Sequence, residues 1–182
     1  PVALSETLDD RVILVTGGTG CIGSNLLGEL ARLRPARLVS VSRGVTPTWS
    51  TVPGVEYRSV DIRDREELNR VFSRVRPDVV FHLAAVVSGE AEADFDKGYR
   101  VNLDGTRSLF DAIRGLDSYR PRVVVSSSIA VFGPPFPEAI GDDFLTAPQT
   151  SYGTQKAIGE LLLNDYSRRG FFDGVGIRLP TI

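Results

Sequence analysis

Short runs of aliphatic and β-branched residues alternate along this chain with stretches in which apolar positions recur at helical spacing. The runs are residues 11–16 (RVILVT), 37–42 (RLVSVS), 55–60, 78–83 (DVVFHL), 122–127 (RVVVSS) and 174–179 (GVGIRL). Several are apolar at consecutive positions, as expected of strands covered on both faces in a parallel sheet. Helices are expected over 21–33, 65–75, 94–114 and 151–169, with Pro35 closing the first. In the second, Leu68, Val71, Phe72 and Val75 fall on one face. Strands and helices in alternation predict an α/β architecture: a doubly wound parallel sheet in the order 3-2-1-4-5-6. Residues 129–150 carry prolines at 134, 135, 137 and 148 and read as a long loop. A loop of that length inside a compact domain is usually functional.

Composition narrows the classes. The chain has 182 residues, of which 42% are hydrophobic and 24% charged, with a net charge of −2. That balance suits one globular domain, and the lack of a basic run argues against a nucleic-acid binder or a polybasic membrane anchor. The longest nearly apolar stretch, residues 78–87, is interrupted by His82 and is too short to span a bilayer. No secretory signal is visible at the start. A single cysteine, Cys21, excludes an internal disulfide framework and fits a reducing cytoplasm. The chain contains no methionine, so Pro1 is not expected to be an encoded start. The expected division is an extension over 1–10 and one domain over 11–182.

The turn between the first strand and helix reads Thr16-Gly17-Gly18-Thr19-Gly20-Cys21-Ile22-Gly23. Gly17, Gly20 and Gly23 keep a three-residue spacing that lets backbone turn tightly, approach a pyrophosphate and pack a helix on the sheet. The helix N-terminus adds amide donors and positive dipole charge for that phosphate. Strand before and helix after give the glycine pattern its expected context, so a nicotinamide dinucleotide, NAD(P), is the expected cofactor. An acidic residue is usual at the end of the second strand, but here Ser42-Arg43 stands there. A carboxylate repels a 2′-phosphate, whereas a hydroxyl beside a guanidinium accepts one, which favours NADP over NAD. Arg43 lying solvated on its loop is the plainer alternative. Asp61-Ile62 could meet the adenine with one polar and one apolar side chain; equally, Asp61 could begin a turn or cap a helix.

Tyr152 and Lys156 form a Tyr-x-x-x-Lys pair near the start of the last helix, on one face. A free phenol has a pKa near ~10, and an adjacent cation favours the phenolate. Ser126-Ser127-Ser128 ends the fifth strand, where ligands bind in open α/β sheets. A hydroxyl there can hold a substrate oxygen while tyrosine moves the proton; Ser126 and Ser127 suit a structural role better than Ser128. His82 has no second His or Cys near it in sequence, so packing around the dinucleotide is expected rather than a metal. Cys21 fills a variable position of the glycine turn.

Together, Thr16–Gly23, His82-Leu83-Ala84-Ala85, Asn102 with Gly105-Thr106, Ser128 with Val131-Phe132-Gly133, and Tyr152-Gly153-Thr154-Gln155-Lys156 resemble the extended short-chain dehydrogenase/reductase family, NAD-dependent epimerases and dehydratases included. The resemblance implies a Rossmann-type fold, hydride transfer between substrate and nicotinamide, and a substrate domain beyond the sixth strand that is expected to be missing from these 182 residues. It implies that Ser128 polarises the substrate oxygen, Tyr152 is the general acid/base, Lys156 tunes it and meets the nicotinamide ribose, and Asn102 supports the site. Leu83, Ala84, Ala85 and Pro180 would border the cofactor, and Ser88 and Ile129 the substrate. From about residue 84 onward the resemblance is to D-erythronate dehydrogenases, which oxidise a secondary hydroxyl of a sugar acid and typically use NAD. A nucleotide-sugar epimerase or dehydratase and a non-catalytic dinucleotide-binding module remain the alternatives. Relatives pair helices like 94–114 and 151–169 into a homodimer, and a monomer stays open.

Overall fold

The computed structural model describes residues 8–44 and 51–180. Six strands, β1 (Val12–Thr16), β2 (Arg37–Ser42), β3 (Val55–Ser59), β4 (Val79–His82), β5 (Arg122–Ser128) and β6 (Asp173–Leu179), form one sheet. Their order is β3-β2-β1-β4-β5-β6 and every neighbouring pair is parallel, the predicted doubly wound topology. Its switch point lies between β1 and β4, where the carboxyl ends of the strands diverge and leave a crevice.

β1 is apolar on consecutive positions because both its faces are covered. Ile13 and Val15 pack with Leu27 and Leu30 of α1 (Cys21–Arg32), while Leu14 belongs to the larger core on the opposite face. That larger core draws in Leu68 and Phe72 of α2 (Arg65–Val75) and Leu163 and Tyr166 of the final helix. Local chemistry ends the helices as the sequence suggests. Asp64 accepts a hydrogen bond from Glu67 N at the start of α2, and Arg76, in the left-handed region at φ 43°, closes it.

Two departures from expectation lie between β4 and β5. A short helix, α3 (Ser88–Ala93), precedes the long one; its six residues SGEAEA show no apolar period and bury only Ala91. The expected helix 94–114 is three segments: α4 (Phe95–Gly98), a π-helical stretch Tyr99–Gly105, and α5 (Thr106–Arg114). Widening the helix by one residue per turn lets buried Asn102 bond back to Val86 while Thr106 bonds back to Asn102. Side-chain hydrogen bonding in a dry interior thus overrides the ordinary helical repeat, and such bulges concentrate at functional sites. Residues 129–150 hold one turn of 3-10 helix (Ile129–Val131) and otherwise run irregularly to α6 (Ser151–Arg168). Of the proposed extension, residues 1–7 lie outside the described residues; Leu8 packs against the α1 side of the core. Among the described residues no helix is long and apolar enough to cross a membrane.

Candidate functional site

At the switch point the glycine turn closes over the end of β4. Gly17 takes φ +74°, and a Cβ there would sit 2.8 Å from Ala84 N. At Gly23 a Cβ would stand 2.2 Å from Gly17 O, so the start of α1 nests inside the turn. Gly20 differs: a Cβ would meet only Gly17 O at 3.4 Å, and its open side faces a cavity of about 280 Å³. Room left by a missing side chain, at a helix N-terminus with unpaired amides, fits the pyrophosphate of a dinucleotide.

The cavity brings together Gly17, Gly20, Ser42, Arg43, Asp61, Ile62, Leu83, Ala84 and Ala85 from the expected cofactor set. It does not include Cys21 or Ile22, which are exposed on the first turn of α1, nor buried Gly23, nor exposed Pro180 after β6. It also includes Thr19, Gly44, Val60 and Val101, which sequence reasoning missed. Thr19 and Val60 carry a legible signal, one as a spacer within the glycine motif and the other at the end of a strand run. Val101 carries none, because the π-helical stretch sets its direction.

Ser42 is buried, and its Oγ accepts a bond from Thr19 N at 3.3 Å, tying the end of β2 to the glycine turn. Asp61 is engaged by Arg63, whose Nη2 lies 2.6 Å from Oδ2 and whose backbone N–H donates to Oδ1. Those bonds from Arg63 outweigh the opposing effect of burial and hold the Asp61 carboxyl below its ordinary range, helped by the charge of Arg43. Asp61 therefore shapes a turn and lines the cavity as well.

Beneath the turn, His82 is fully enclosed. Its Nδ1 lies 2.7 Å from Thr16 Oγ1 and its Nε2 lies 2.9 Å from Thr106 Oγ1. Thr106 spends its hydroxyl proton on Asn102 O, so it accepts from His82 Nε2–H; Thr16 donates to Nδ1 while accepting from Ala84 N. This assigns one tautomer by counting protons. Burial, with the charge of Lys156, pushes the imidazole down to about 3, so it is neutral at physiological pH. Among the described residues no group of three His, Cys, Asp or Glu is placed to hold a metal.

The three serines ending β5 divide their work. Ser126 Oγ donates to His82 O, and its carbonyl accepts Lys156 Nζ at 2.8 Å. Ser127 Oγ donates to Glu160 at 2.5 Å. Ser128 Oγ accepts from Ala130 N, and its hydroxyl lies near enough to the Tyr152 phenol to favour the phenolate. Lys156 Nζ lies 5.6 Å from the Tyr152 ring centroid. Gly153 makes this contact possible, since a Cβ there would stand 2.2 Å from Ala130 O and drive α6 off the strand end. Thr150 caps α6 by accepting from Gly153 N, and Glu92 of α3 accepts from Tyr152 N at 3.0 Å. Glu92 has no legible motif; only α3 brings it there.

The pKa expectation for this pair needs correcting. Burial raises the Tyr152 phenol above its ordinary value, the nearby Ser128 hydroxyl only partly opposing it. Lys156 itself is lowered to about 8 by burial. In so dry a site the cost of charge outweighs the lysine's pull on the phenol. Asn102 is buried and bonds Val86 N, Val86 O and Gln155 Oε1, bracing the helix one residue before Lys156 rather than reaching the phenol. Ser88 is exposed at the start of α3, and Ile129, 46% exposed, borders a second cavity of about 430 Å³ with Phe132, Phe136 and Arg178.

Comparison with known proteins agrees with this geometry. The chain is 45% identical to a D-erythronate dehydrogenase of Cupriavidus necator, over 93% of this chain and 55% of that protein. A solved structure described as a nucleoside-diphosphate-sugar epimerase from Agrobacterium tumefaciens superposes with a TM-score of 0.85 at 52% identity, covering 96% of this chain and 54% of that one. A UDP-glucose 4-epimerase from Brucella ovis, solved in complex with NAD, gives a TM-score of 0.82 at 35% identity, covering 91% and 50%. The chain thus spans about half the length of the relatives it matches. Residues 13–182 match the NAD dependent epimerase/dehydratase family, and the chain belongs to it.

Proposed function

We propose that this chain binds a nicotinamide adenine dinucleotide across the switch-point crevice and supports hydride transfer from a secondary alcohol, as part of a sugar-acid dehydrogenase of the D-erythronate type. The observation that carries the reading is the gathering of Ser128, Tyr152 and Lys156 at the carboxyl end of β5, with Lys156 Nζ 5.6 Å from the centre of the phenol ring and anchored on Ser126 O. The amides of Cys21, Ile22 and Gly23 would hold the pyrophosphate in the room that Gly20 leaves, and Gly17, Leu83, Ala84 and Ala85 border the same path. Ser42, Arg43, Asp61 and Ile62 would hold the adenosine end, and Tyr152, Lys156 and Pro180 the nicotinamide end. The dinucleotide supplies the hydride acceptor.

The chain's own residues supply the proton chemistry. Ser128 Oγ holds the reacting oxygen of the substrate, with Ser88 and Ile129 at the rim. Tyr152, as the phenolate, takes the hydroxyl proton as the alcohol becomes a carbonyl and ends as the neutral phenol, and Lys156 supports the phenolate from which the step starts. Because burial holds the phenol neutral above its ordinary range, the phenolate fraction, and oxidation with it, should go on rising with pH without a plateau below pH ~10. Assays of NAD(P)⁺ reduction with D-erythronate test the reading; no turnover of any sugar acid at any pH would sink it.

Similarity to nucleotide-sugar epimerases supports a second reading with the same residues, and UDP-sugars in the same assay separate the two. Binding without turnover of either would leave a non-catalytic module. No carboxylate stands at the end of β2, which supports acceptance of NADP through Arg43, whereas the relatives favour NAD; parallel titrations of the two dinucleotides decide. A homodimer through α4–α5 and α6 is part of the same proposal. Phe95 and Leu161 on these helices are 58% and 69% exposed, and sedimentation is its test.

A further inference from the structure

Beside Ser128, the β6 side of the described sheet holds an ionic network that the hydride-transfer reading leaves unused. Glu160 lies one turn beyond Lys156 on α6, and Arg178 lies on β6. The guanidinium is bidentate on the carboxylate, with Nε 3.0 Å from Oε1 and Nη2 2.8 Å from Oε2. Ser127 Oγ donates to the same Oε1 at 2.5 Å. On its other side Arg178 Nη1 donates to Asp142 O at 3.2 Å, and the guanidinium lies 4.8 Å from the Phe132 ring centroid. The two side chains are only 15% and 25% exposed, so the pair is shielded from solvent far more than the surface ion pairs of α2. Burial pushes the Glu160 carboxyl up, but the bonds from Arg178 and Ser127 outweigh it, and the carboxylate stays ionised at neutral pH.

One carboxylate and one guanidinium therefore join four pieces of chain: the end of β5, α6, β6 and the far part of the 129–150 segment. Their reach is one-sided. Ser127 immediately precedes Ser128, and Phe132, Asp142 and Arg178 line the cavity that Ile129 borders. None of the four touches the glycine turn through a bond named above, and none lines the dinucleotide cavity. A planar bidentate pair fixes direction as well as distance, which a lysine or a lone hydrogen bond cannot do.

We propose that Glu160 and Arg178 are positioning residues for the reaction at Ser128 and Tyr152, setting the strand end through Ser127 and the 129–150 segment through the Asp142 carbonyl. The inference rests on the function proposed above, and it divides the molecule's duties. The pair governs turnover and substrate fit, and leaves dinucleotide binding alone.

The test uses the full chain with Arg178→Ala, Arg178→Lys, Glu160→Gln and the Arg178→Ala/Glu160→Gln double variant. Calorimetry with NAD and NADP should give dissociation constants within about twofold of the unaltered chain, since a site without shared partners is not coupled. With D-erythronate, kcat should fall about tenfold or more in both single alanine and glutamine variants. Arg178→Lys should recover part of the loss, and the double variant should be no worse than the poorer single one, as for two parts of one unit. Amide hydrogen exchange should quicken at 127–128 and 141–147 and stay unchanged at 14–23. Equal loss of dinucleotide binding and turnover, additive single effects, or an unchanged kcat would each overturn the proposal. If the unaltered chain turns over no sugar acid, the function reading fails and exchange alone decides: unchanged rates at 127–128 and 141–147 in Arg178→Ala overturn the clamp.

Discussion

The two flanks of the sheet are built differently. On the β1–β2 side, strands are covered on both faces by α1 and by the larger core, and Ile13, Leu14, Val15 and Val39 are wholly buried. There the proposed dinucleotide cavity is shaped largely by backbone, with Gly17 and Gly23 leaving no slack and Gly20 leaving the room. On the β5–β6 side, among the described residues, β6 is less covered, with Val175 and Ile177 38% and 47% exposed. There position is held by polar side chains: Lys156 on Ser126, Glu160 on Ser127 and Arg178 on Asp142. A phosphate-binding turn needs only a rigid scaffold, because its donors are main-chain amides. A proton-transfer site needs side chains at defined separations, and their bonds depend on charge state. The first flank should therefore answer to changes of volume, and the second to changes of hydrogen bonding and pH.

The largest expected effect tests the second flank. Tyr152→Phe removes the proton-transferring hydroxyl and should lower turnover on the order of a thousandfold while dinucleotide binding persists. Steady-state kinetics with D-erythronate, beside calorimetry, measures both, and retained activity would remove Tyr152 from its role. Next, Leu14→Ala at a site with 0% exposure should cost roughly 2–5 kcal/mol in urea unfolding, the usual penalty for a core cavity. Ile177→Ala on the less covered β6 should cost under about 1 kcal/mol; equal costs would erase the contrast between the flanks.

Acid should probe the join between them. His82 is lowered from an ordinary value of 6.5 to about 3, so between those pH values the unfolded chain binds a proton that the folded chain refuses. Its contribution is fully present above 6.5 and is lost as pH falls towards 3, a change on the order of a few kcal/mol. His82→Asn should flatten that part of the curve, and an unchanged slope would place the acid sensitivity elsewhere. The smallest effect concerns the rim: Arg43→Ala should weaken NADP about tenfold, near 1.4 kcal/mol, and NAD less than twofold. Equal losses for both would mean that Arg43 does not meet a 2′-phosphate.

Glu160 offers a second, more acidic window. Its carboxyl lies below its ordinary 4.5, so the support it lends is present above that pH and disappears as pH falls through its folded value.

The amino-acid sequence by itself determined the strand positions, the parallel order, the glycine turn and the Tyr152–Lys156 pair. Each of these is written in local spacing: consecutive apolar runs for strands, three-residue glycine steps for the turn, four residues for one helical face. Tertiary structure alone decided the rest. It inserted the π-helical stretch, because buried Asn102 had to satisfy its amide, and so turned Val101 into the cavity. It brought Glu92 to Tyr152 N, Thr106 to His82, and Arg178 across to Glu160, pairs separated by 60, 24 and 18 residues. It also reversed the sign expected for the Tyr152 phenol, since burial is a property of the whole fold and outweighs a neighbour four residues away. Periodicity records which face of an element is dry, whereas the strength of a charge or a hydrogen bond depends on how dry the assembled interior becomes.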